Sequence, residues 1–246
     1  MNGVKRQITV PEFVDFKQQG HRISMLTAYD FMSARILDEA GIDAILVGDT
    51  VGMVFQGHDT TLPVTLDDII YHAEIVGRAV QQALVVVDLP FPTHLVGDKS
   101  AISSAGRILK ETRCQAVKLE GGADQAGTIA ALVSAGIPVM GHIGYTPQFK
   151  NKFRVEGKSN IEMKKLIKEA LSIEKAGAFS IVLECVTPKT AKLITKKLNI
   201  PTIGIGSSLH CDGQILVTDD ILGMSGFYPK FVKKYVDINS IIEKAV

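Results

Sequence analysis

Short apolar runs alternate along the chain with longer segments of helical periodicity. The runs hold four to six residues without polar alternation, which is typical of strands buried on both faces of a sheet. They lie at residues 23–28, 44–48, 84–87, 116–119, 138–141, 180–183 and 201–205, with a weaker eighth run at 214–217. Between them, helical spacing predicts helices at residues 31–40, 65–82, 100–112, 124–135, 160–176, 188–198 and 238–245.

This order, strand then helix repeated about eight times, predicts parallel strands joined by crossover helices. A single closed (β/α)8 barrel over residues 1–246 fits both the number of repeats and the chain length. The alternative is an open doubly wound sheet. No GxGxxG opens a helix after the first strand and no GxxxxGK[ST] occurs, so the usual nucleotide-binding signatures of that fold are missing.

Composition narrows the function classes. Lys and Arg number 27 and Asp and Glu 26, and this balance disfavours a nucleic-acid-binding protein. The sequence contains no 18-residue apolar run, so we expect no membrane span. It has no apolar stretch near the first residue either, so we expect no secretory signal. Cys114, Cys185 and Cys211 are too scattered for a disulfide framework or a zinc site. We therefore expect a soluble, reduced, cytoplasmic protein.

Charged residues end five consecutive apolar runs. They are Asp49, Asp88, Lys118 with Glu120, His142 and Glu184. Any one of them alone is readily explained as a paired buried charge or a helix cap, and Asp49 and Asp88 are well placed for capping. In a barrel, however, all five strand ends converge on the carboxyl face, where catalytic groups lie. The pattern as a whole therefore predicts an active site.

The residue types at this face indicate the chemistry. Lys118 and Glu120 are two apart and so point to the same side of their strand, whereas Val117 and Leu119 pack outward. No Ser or Cys nucleophile stands beside a base, because Cys185 points away from its neighbour Glu184. Several carboxylates suit the binding of Mg²⁺, which could in turn hold an oxyacid, and one carboxylate could serve as a general base. The single lysine would stabilise the negative charge of the ligand.

Two loops leave their interpretation open. The glycine-containing segment at residues 204–208 follows the seventh strand, where many barrels bind phosphate, but a tight turn explains it equally simply. The basic stretch at residues 150–158 is best explained as an exposed, solvated connection.

Motifs in order along the chain identify a resemblance. They are MLTAYD (25–30), AGIDAILVGDTVGMV (40–54), TLPVTLDDIIYH (61–72), VVDLPF (86–91), AVKLEGG (116–122), GIPVMGHIGYTPQ (136–148), VLECV (182–186), IPTIGIG (200–206) and DGQILVTDDILG (212–223). In this combination the sequence resembles the ketopantoate hydroxymethyltransferase family. The resemblance implies a (β/α)8 barrel that uses Mg²⁺ to transfer a hydroxymethyl group from 5,10-methylenetetrahydrofolate to 3-methyl-2-oxobutanoate, forming 2-dehydropantoate.

The resemblance also implies residue roles. It assigns the metal to Asp49, Asp88 and Glu120, the 2-oxo acid to Asp49, Thr50, Asp88, Lys118 and His142, and the catalytic base to Glu184. It implies a homodecamer. The chain departs from the family in three loops: it is shorter between Phe149 and Val155, it has Gly-Ile-Gly-Ser-Ser at residues 204–208, and Thr187 stands where the family has proline.

Two other functions stay open at this point. A carbon–carbon lyase or phosphonate-type mutase acting on a 2-oxo acid would share the metal and carboxylates, and dependence on methylenetetrahydrofolate would separate it. A non-catalytic barrel that serves in an assembly would lack Mg²⁺-dependent binding of 2-oxo acids.

Overall fold

A computed structural model describes residues 6–149, 153–226 and 229–246. Its strands are all parallel and form a closed barrel in sequence order, which confirms the predicted (β/α)8 architecture and excludes the open sheet. The strands are β1 (Ile23–Thr27), β2 (Ala44–Val47), β3 (Leu84–Asp88), β4 (Ala116–Glu120), β5 (Val139–Gly144), β6 (Ser180–Glu184), β7 (Thr202–Ile205) and β8 (Gly213–Leu216).

Helices surround the barrel and follow most of its strands. They are α1 (Val10–Gln19), α2 (Phe31–Glu39), α3 (Val51–Val54), α4 (Leu66–Ala79), α5 (Asp98–Glu111), α6 (Ala126–Ser134), α7 (Asn160–Lys175), α8 (Pro188–Lys197), α9 (Thr218–Leu222) and α10 (Ile238–Ala245). The sequence pattern predicts seven of these and misses α1, α3 and α9.

The apolar residues form two separate layers. Outward-facing side chains such as Val117 and Leu119 pack between the strands and the surrounding helices. Inward-facing side chains such as Leu46, Val86 and Met140 fill the barrel interior. Because successive strand residues point to opposite faces, the alternate residues Lys118 and Glu120 face the interior, as the sequence predicts.

Helix α1 closes the amino-terminal end of the barrel. Thr9 and Glu12 form a capping box in which the Thr9 hydroxyl accepts from the Glu12 N–H and the Glu12 carboxylate accepts from the Thr9 N–H. The helix thereby presents Phe13, which is fully buried and packs edge-on against Phe179 with ring centroids 5.8 Å apart. Both aromatic rings belong to the interior layer, so they seal the barrel from below.

Helix α4 ends at Ala79, earlier than the sequence pattern predicts, because a buried carboxylate captures the next N–H groups. Asp38 accepts hydrogen bonds from the main-chain N–H groups of Gln81, Gln82 and Ala83 at 2.8–3.0 Å. These bonds hold residues 81–83 in a bend that leads directly into β3.

Candidate functional site

The carboxyl ends of β2 to β6 bring the predicted charged side chains together at the barrel mouth. The cavity there is lined by Asp49, Thr50, Asp88, Lys118, Glu120, His142 and Glu184, together with apolar residues that include Leu46, Val182 and Ile215. Five of the charged residues are at most 5% exposed, and Glu184 is partly exposed at the rim. So many buried charges are tolerable only if they are paired, hydrogen-bonded or bound to a metal ion.

Asp88 connects the second strand with the fourth. Its Oδ2 accepts a hydrogen bond from the main-chain N–H of Asp49 at 2.9 Å, and its Oδ1 lies 3.1 Å from Nζ of Lys118. Asp49 and Asp88 therefore do not cap helices, which was the simpler explanation open from the sequence. Thr50 precedes α3 and makes no capping hydrogen bond.

His142 connects Lys118 with two carboxylates. Its Nδ1 lies 3.3 Å from Nζ of Lys118 and 3.5 Å from Oε1 of Glu120. Its Nε2 lies 3.1 Å from Oε2 of Glu184. The imidazole thus joins the base candidate on β6 to the buried charges on β4.

Gln148 is a site residue that the sequence interpretation missed. Its side-chain Nε2 donates to Oδ2 of Asp49 at 2.8 Å and to the carbonyl of Leu89 at 3.2 Å, and its main-chain N–H donates to Oε2 of Glu120 at 3.0 Å. It lies in the motif Thr-Pro-Gln after β5. The proline there signals a turn, but nothing in the spacing shows where the glutamine points.

Three buried carboxylates around one lysine shift the ionisation of the site. Burial, together with the charges of Asp88 and Glu120, raises the pKa of Asp49 to about 8. Burial by itself lowers the pKa of Lys118, but the surrounding carboxylates, Asp88 first, outweigh it and the pKa is raised. Lys118 therefore stays charged, and with every carboxylate ionised the site would carry more negative charge than Lys118 and His142 balance.

His142 and Glu120 shift in opposite directions. Burial and the neighbouring charge of Lys118 lower the pKa of His142, but the adjacent carboxylates of Glu120 and Glu184 outweigh both effects and raise it. Burial raises the pKa of Glu120, but His142 first, together with the charge of Lys118 and the N–H of Gln148, outweighs burial, so the pKa lies below its ordinary value. Each group thus favours the charged form of the other.

The donor set fits a hard divalent cation held by two carboxylates. Asp49 and Asp88 are adjacent, and their excess negative charge would be offset by a cation. Mg²⁺ typically uses one or two carboxylates and fills its other positions with water or substrate oxygens. Glu120 already contacts His142 and the N–H of Gln148. Within the described residues, no group of three His, Cys, Asp or Glu side chains is arranged to hold a metal by itself.

Cys185 and the glycine-containing loop at residues 204–208 take no part in the network of charged side chains at the barrel mouth. Cys185 is buried, and its backbone has a φ of 52° immediately after Glu184. The Ser207 hydroxyl donates to the carbonyl of Val186 and the Ser208 hydroxyl accepts from the N–H of His210, so the loop after β7 uses both hydroxyls internally. Of the basic stretch at 150–158, residues 150–152 lie outside the described residues. In the remainder Glu156 and Gly157 are buried, because Glu156 forms a bridge with Val186, so this part is not the fully exposed connection that the sequence predicts.

Comparison with known proteins places the chain in a family. The family model described as ketopantoate hydroxymethyltransferase matches residues 7–246. The chain belongs to the ketopantoate hydroxymethyltransferase family. It is 52% identical to the 3-methyl-2-oxobutanoate hydroxymethyltransferase of Rhodopirellula baltica over 98% of this chain and 90% of that protein. It is also 52% identical to the enzyme of the same name from Clostridium beijerinckii, over 97% of this chain and 88% of that protein.

Solved structures of low sequence identity share the fold. A putative phosphonomutase from Burkholderia cenocepacia superposes with a TM-score of 0.70 at 15% identity and covers 96% of this chain and 95% of its own. Phosphonopyruvate hydrolase in complex with oxalate and Mg²⁺ gives a TM-score of 0.67 at 11% identity, over 97% of this chain and 86% of its own. At this low sequence identity, the structural similarity shows only that the proteins share the barrel fold. Among the described residues, no helix is long and apolar enough to cross a membrane.

Proposed function

We propose that this member of the ketopantoate hydroxymethyltransferase family transfers a hydroxymethyl group from 5,10-methylenetetrahydrofolate to 3-methyl-2-oxobutanoate, forming 2-dehydropantoate, with Mg²⁺ as cofactor. One observation carries the proposal. In a chain about half identical to enzymes of that name, the charged residues of five consecutive strands form one connected network. The network contains a cationic anchor, a base and a carboxylate pair.

The 2-oxo acid would bind over β2 to β5. Lys118 offers its charged Nζ to the substrate carboxylate, and Thr50 offers a hydroxyl at the rim of the same cavity. Asp49 and Asp88, together with Glu120 directly or through water, would hold Mg²⁺. The cation would supply Lewis-acid stabilisation of the negative charge that develops on the keto oxygen.

Glu184 would act as the general base. It would remove the proton from the carbon next to the ketone, and that carbon then bonds to the methylene carbon of the folate. The two C–N bonds of the methylene carbon break, water supplies the hydroxyl group, and tetrahydrofolate leaves. Its position at the rim allows it to reach a substrate anchored on the deeper Lys118. His142 contacts Glu184 through Nε2 and orients the carboxylate toward the substrate. A positioned base typically contributes about 10²–10⁴-fold to the rate.

A product assay with both substrates tests the proposal. With 3-methyl-2-oxobutanoate and methylenetetrahydrofolate, we expect 2-dehydropantoate to form in the presence of Mg²⁺. A chelator should abolish turnover, and added Mg²⁺ should restore it. Full turnover of metal-free protein would contradict the metal assignment, and turnover of a 2-oxo acid without the folate would contradict the transfer reaction.

We propose further that the protein acts in the cytoplasm as a homodecamer, as the family resemblance implies. All three cysteines are free and buried, which fits a reducing compartment. Several large apolar side chains on α2 stay exposed in the single chain: Phe31, Met32 and Ile36. Contiguous exposed apolar residues of this kind are typical of protein–protein contacts.

A further inference from the structure

A β-turn places Gln148 within hydrogen-bond distance of Asp49 and Glu120. The main-chain N–H of Phe149 donates to the carbonyl of Thr146 at 3.0 Å, which closes the turn over Pro147 and Gln148. Proline at the second turn position presets its backbone angle, and the N–H at the third position takes no part in the closing bond. That free N–H is the one that reaches Glu120.

The orientation of the side-chain amide follows from its neighbours. Asp49 Oδ2 and the Leu89 carbonyl, at 2.8 and 3.2 Å, both accept hydrogen bonds, so the NH₂ group must face them. Gln148 is 7% exposed, and its Oε1 is buried without a hydrogen-bond partner. A buried oxygen without a hydrogen-bond partner lowers stability. The side chain nevertheless keeps this orientation, in which its NH₂ group holds Asp49.

We propose that Gln148 is a positioning residue for the reaction. Its side-chain amide fixes the Asp49 carboxylate by occupying Oδ2, and it thereby leaves Oδ1 to face a divalent cation. Its main-chain N–H fixes Glu120 in contact with His142. One residue of the turn after β5 thus holds carboxylates at the ends of β2 and β4. This inference rests on the proposed function, because it concerns how that cation site is built.

The two contacts respond differently to substitution. Gln148→Met keeps the length of the side chain and the main-chain N–H, so the bond to Glu120 remains while Asp49 loses its donor. Gln148→Asn keeps the amide but shortens the side chain by one methylene group, so its nitrogen no longer reaches Oδ2 from the same turn. Both variants should free the Asp49 carboxylate to rotate.

Binding of Mn²⁺, followed by electron paramagnetic resonance without substrates, measures the effect independently of turnover. We expect the dissociation constant for Mn²⁺ to rise about 10–100-fold in both variants, as is usual when a partner of a metal ligand is removed. At saturating Mg²⁺, the kcat of both variants should return toward the wild-type value, whereas their kcat/KM for the 2-oxo acid should recover much less. Gln125→Met is the matched control. Gln125 is also buried with an unpartnered Oε1, and the control should bind Mn²⁺ within about twofold of the wild type.

The outcomes separate this inference from the proposed function. If the wild type neither binds Mn²⁺ nor forms product, the proposed function fails. If the wild type does both and the Gln148 variants match it, only the positioning role is overturned. If neither variant folds, as judged by circular dichroism and thermal unfolding, Gln148 is a stability residue and the inference is likewise overturned.

Discussion

At the scale of single residues, the site is defined by an excess of buried negative charge. Asp49, Asp88 and Glu120 surround Lys118, and each is at most 4% exposed. Such a group of carboxylates is stable only with compensating cations or with a proton retained on one of them. Burial, together with the charges of Asp88 and Glu120, raises the pKa of Asp49 and so favours its protonated form in the metal-free protein.

The raised pKa of Asp49 gives a pH-dependent difference in stability between the wild type and Asp49→Asn. The folded chain binds this proton more tightly than the unfolded chain, whose aspartate has a pKa near 3.8. The wild type therefore loses stability relative to Asp49→Asn as the pH rises from about 4 to about 8, and the difference is then constant. Urea unfolding with a chelator present measures it.

Asp15→Asn is the control for that experiment, because Asp15 is exposed on α1. Its stability difference from the wild type should not follow the same pH curve. A pH-independent difference for Asp49→Asn would show that Asp49 is already ionised in the folded, metal-free protein.

Substitution of Glu184 by glutamine separates binding from proton removal. Gln has nearly the same shape but cannot take the proton, so Glu184→Gln should bind 3-methyl-2-oxobutanoate and exchange its C3 proton about 10²–10⁴-fold more slowly. Nuclear magnetic resonance in deuterium oxide follows the exchange. Glu162→Gln, on α7 outside the charged network, is the control, and normal exchange in Glu184→Gln would remove Glu184 from the role of base.

At the scale of elements, strand prediction succeeded where burial is uniform. The run at residues 84–87 is recognisable as a strand because both of its faces are buried, but the apolar pattern ends one residue before the strand itself, which spans Leu84–Asp88. Asp88, Glu120 and Glu184 look like loop residues but continue their strands, since the interior at the carboxyl end is polar. The polar residues that form the site are therefore also the residues that make the ends of these strands hard to predict from the sequence.

Helix α1 was missed although its start is encoded locally. Thr9 with Glu12 three residues later, and Pro11 between them, is a clear helix start. Its helical face is only partly buried, so the apolar periodicity is weak. Gln148 was missed for a different reason: the turn and the closure of the barrel, rather than any spacing in the sequence, bring it to Asp49.

Helix α1 should contribute to stability mainly through Phe13. Phe13→Ala leaves a cavity between the helix and Phe179, and we expect the free energy of unfolding to fall by about 3–5 kcal/mol. Phe16→Ala, on the same helix but only partly buried, should cost clearly less. Equal losses for the two variants, measured by urea unfolding, would contradict the role of Phe13 as the residue that closes the barrel.

At the scale of the whole molecule, the exposed apolar surface gives a prediction about assembly. Ten copies of the 26.6 kDa chain have a mass of about 266 kDa, which sedimentation equilibrium resolves from smaller assemblies. Ile36 is 58% exposed on α2, and Ile36→Lys should lower the measured mass if this surface joins subunits. Lys192→Ala, on α8, is the control. A monomeric wild type would contradict the proposed decamer.

The closure of the barrel by α1 has a kinetic consequence. Phe13 and Phe179 pack across the amino-terminal end and other side chains fill the interior, so the cavity at the carboxyl ends of the strands opens only on that face. Whatever binds deepest must enter first and leave last. A 2-oxo acid anchored on Lys118 would precede the bulkier folate, and the folate product would depart before the new oxo acid. The proposed function therefore predicts a compulsory order of binding, in which the 2-oxo acid binds before the folate.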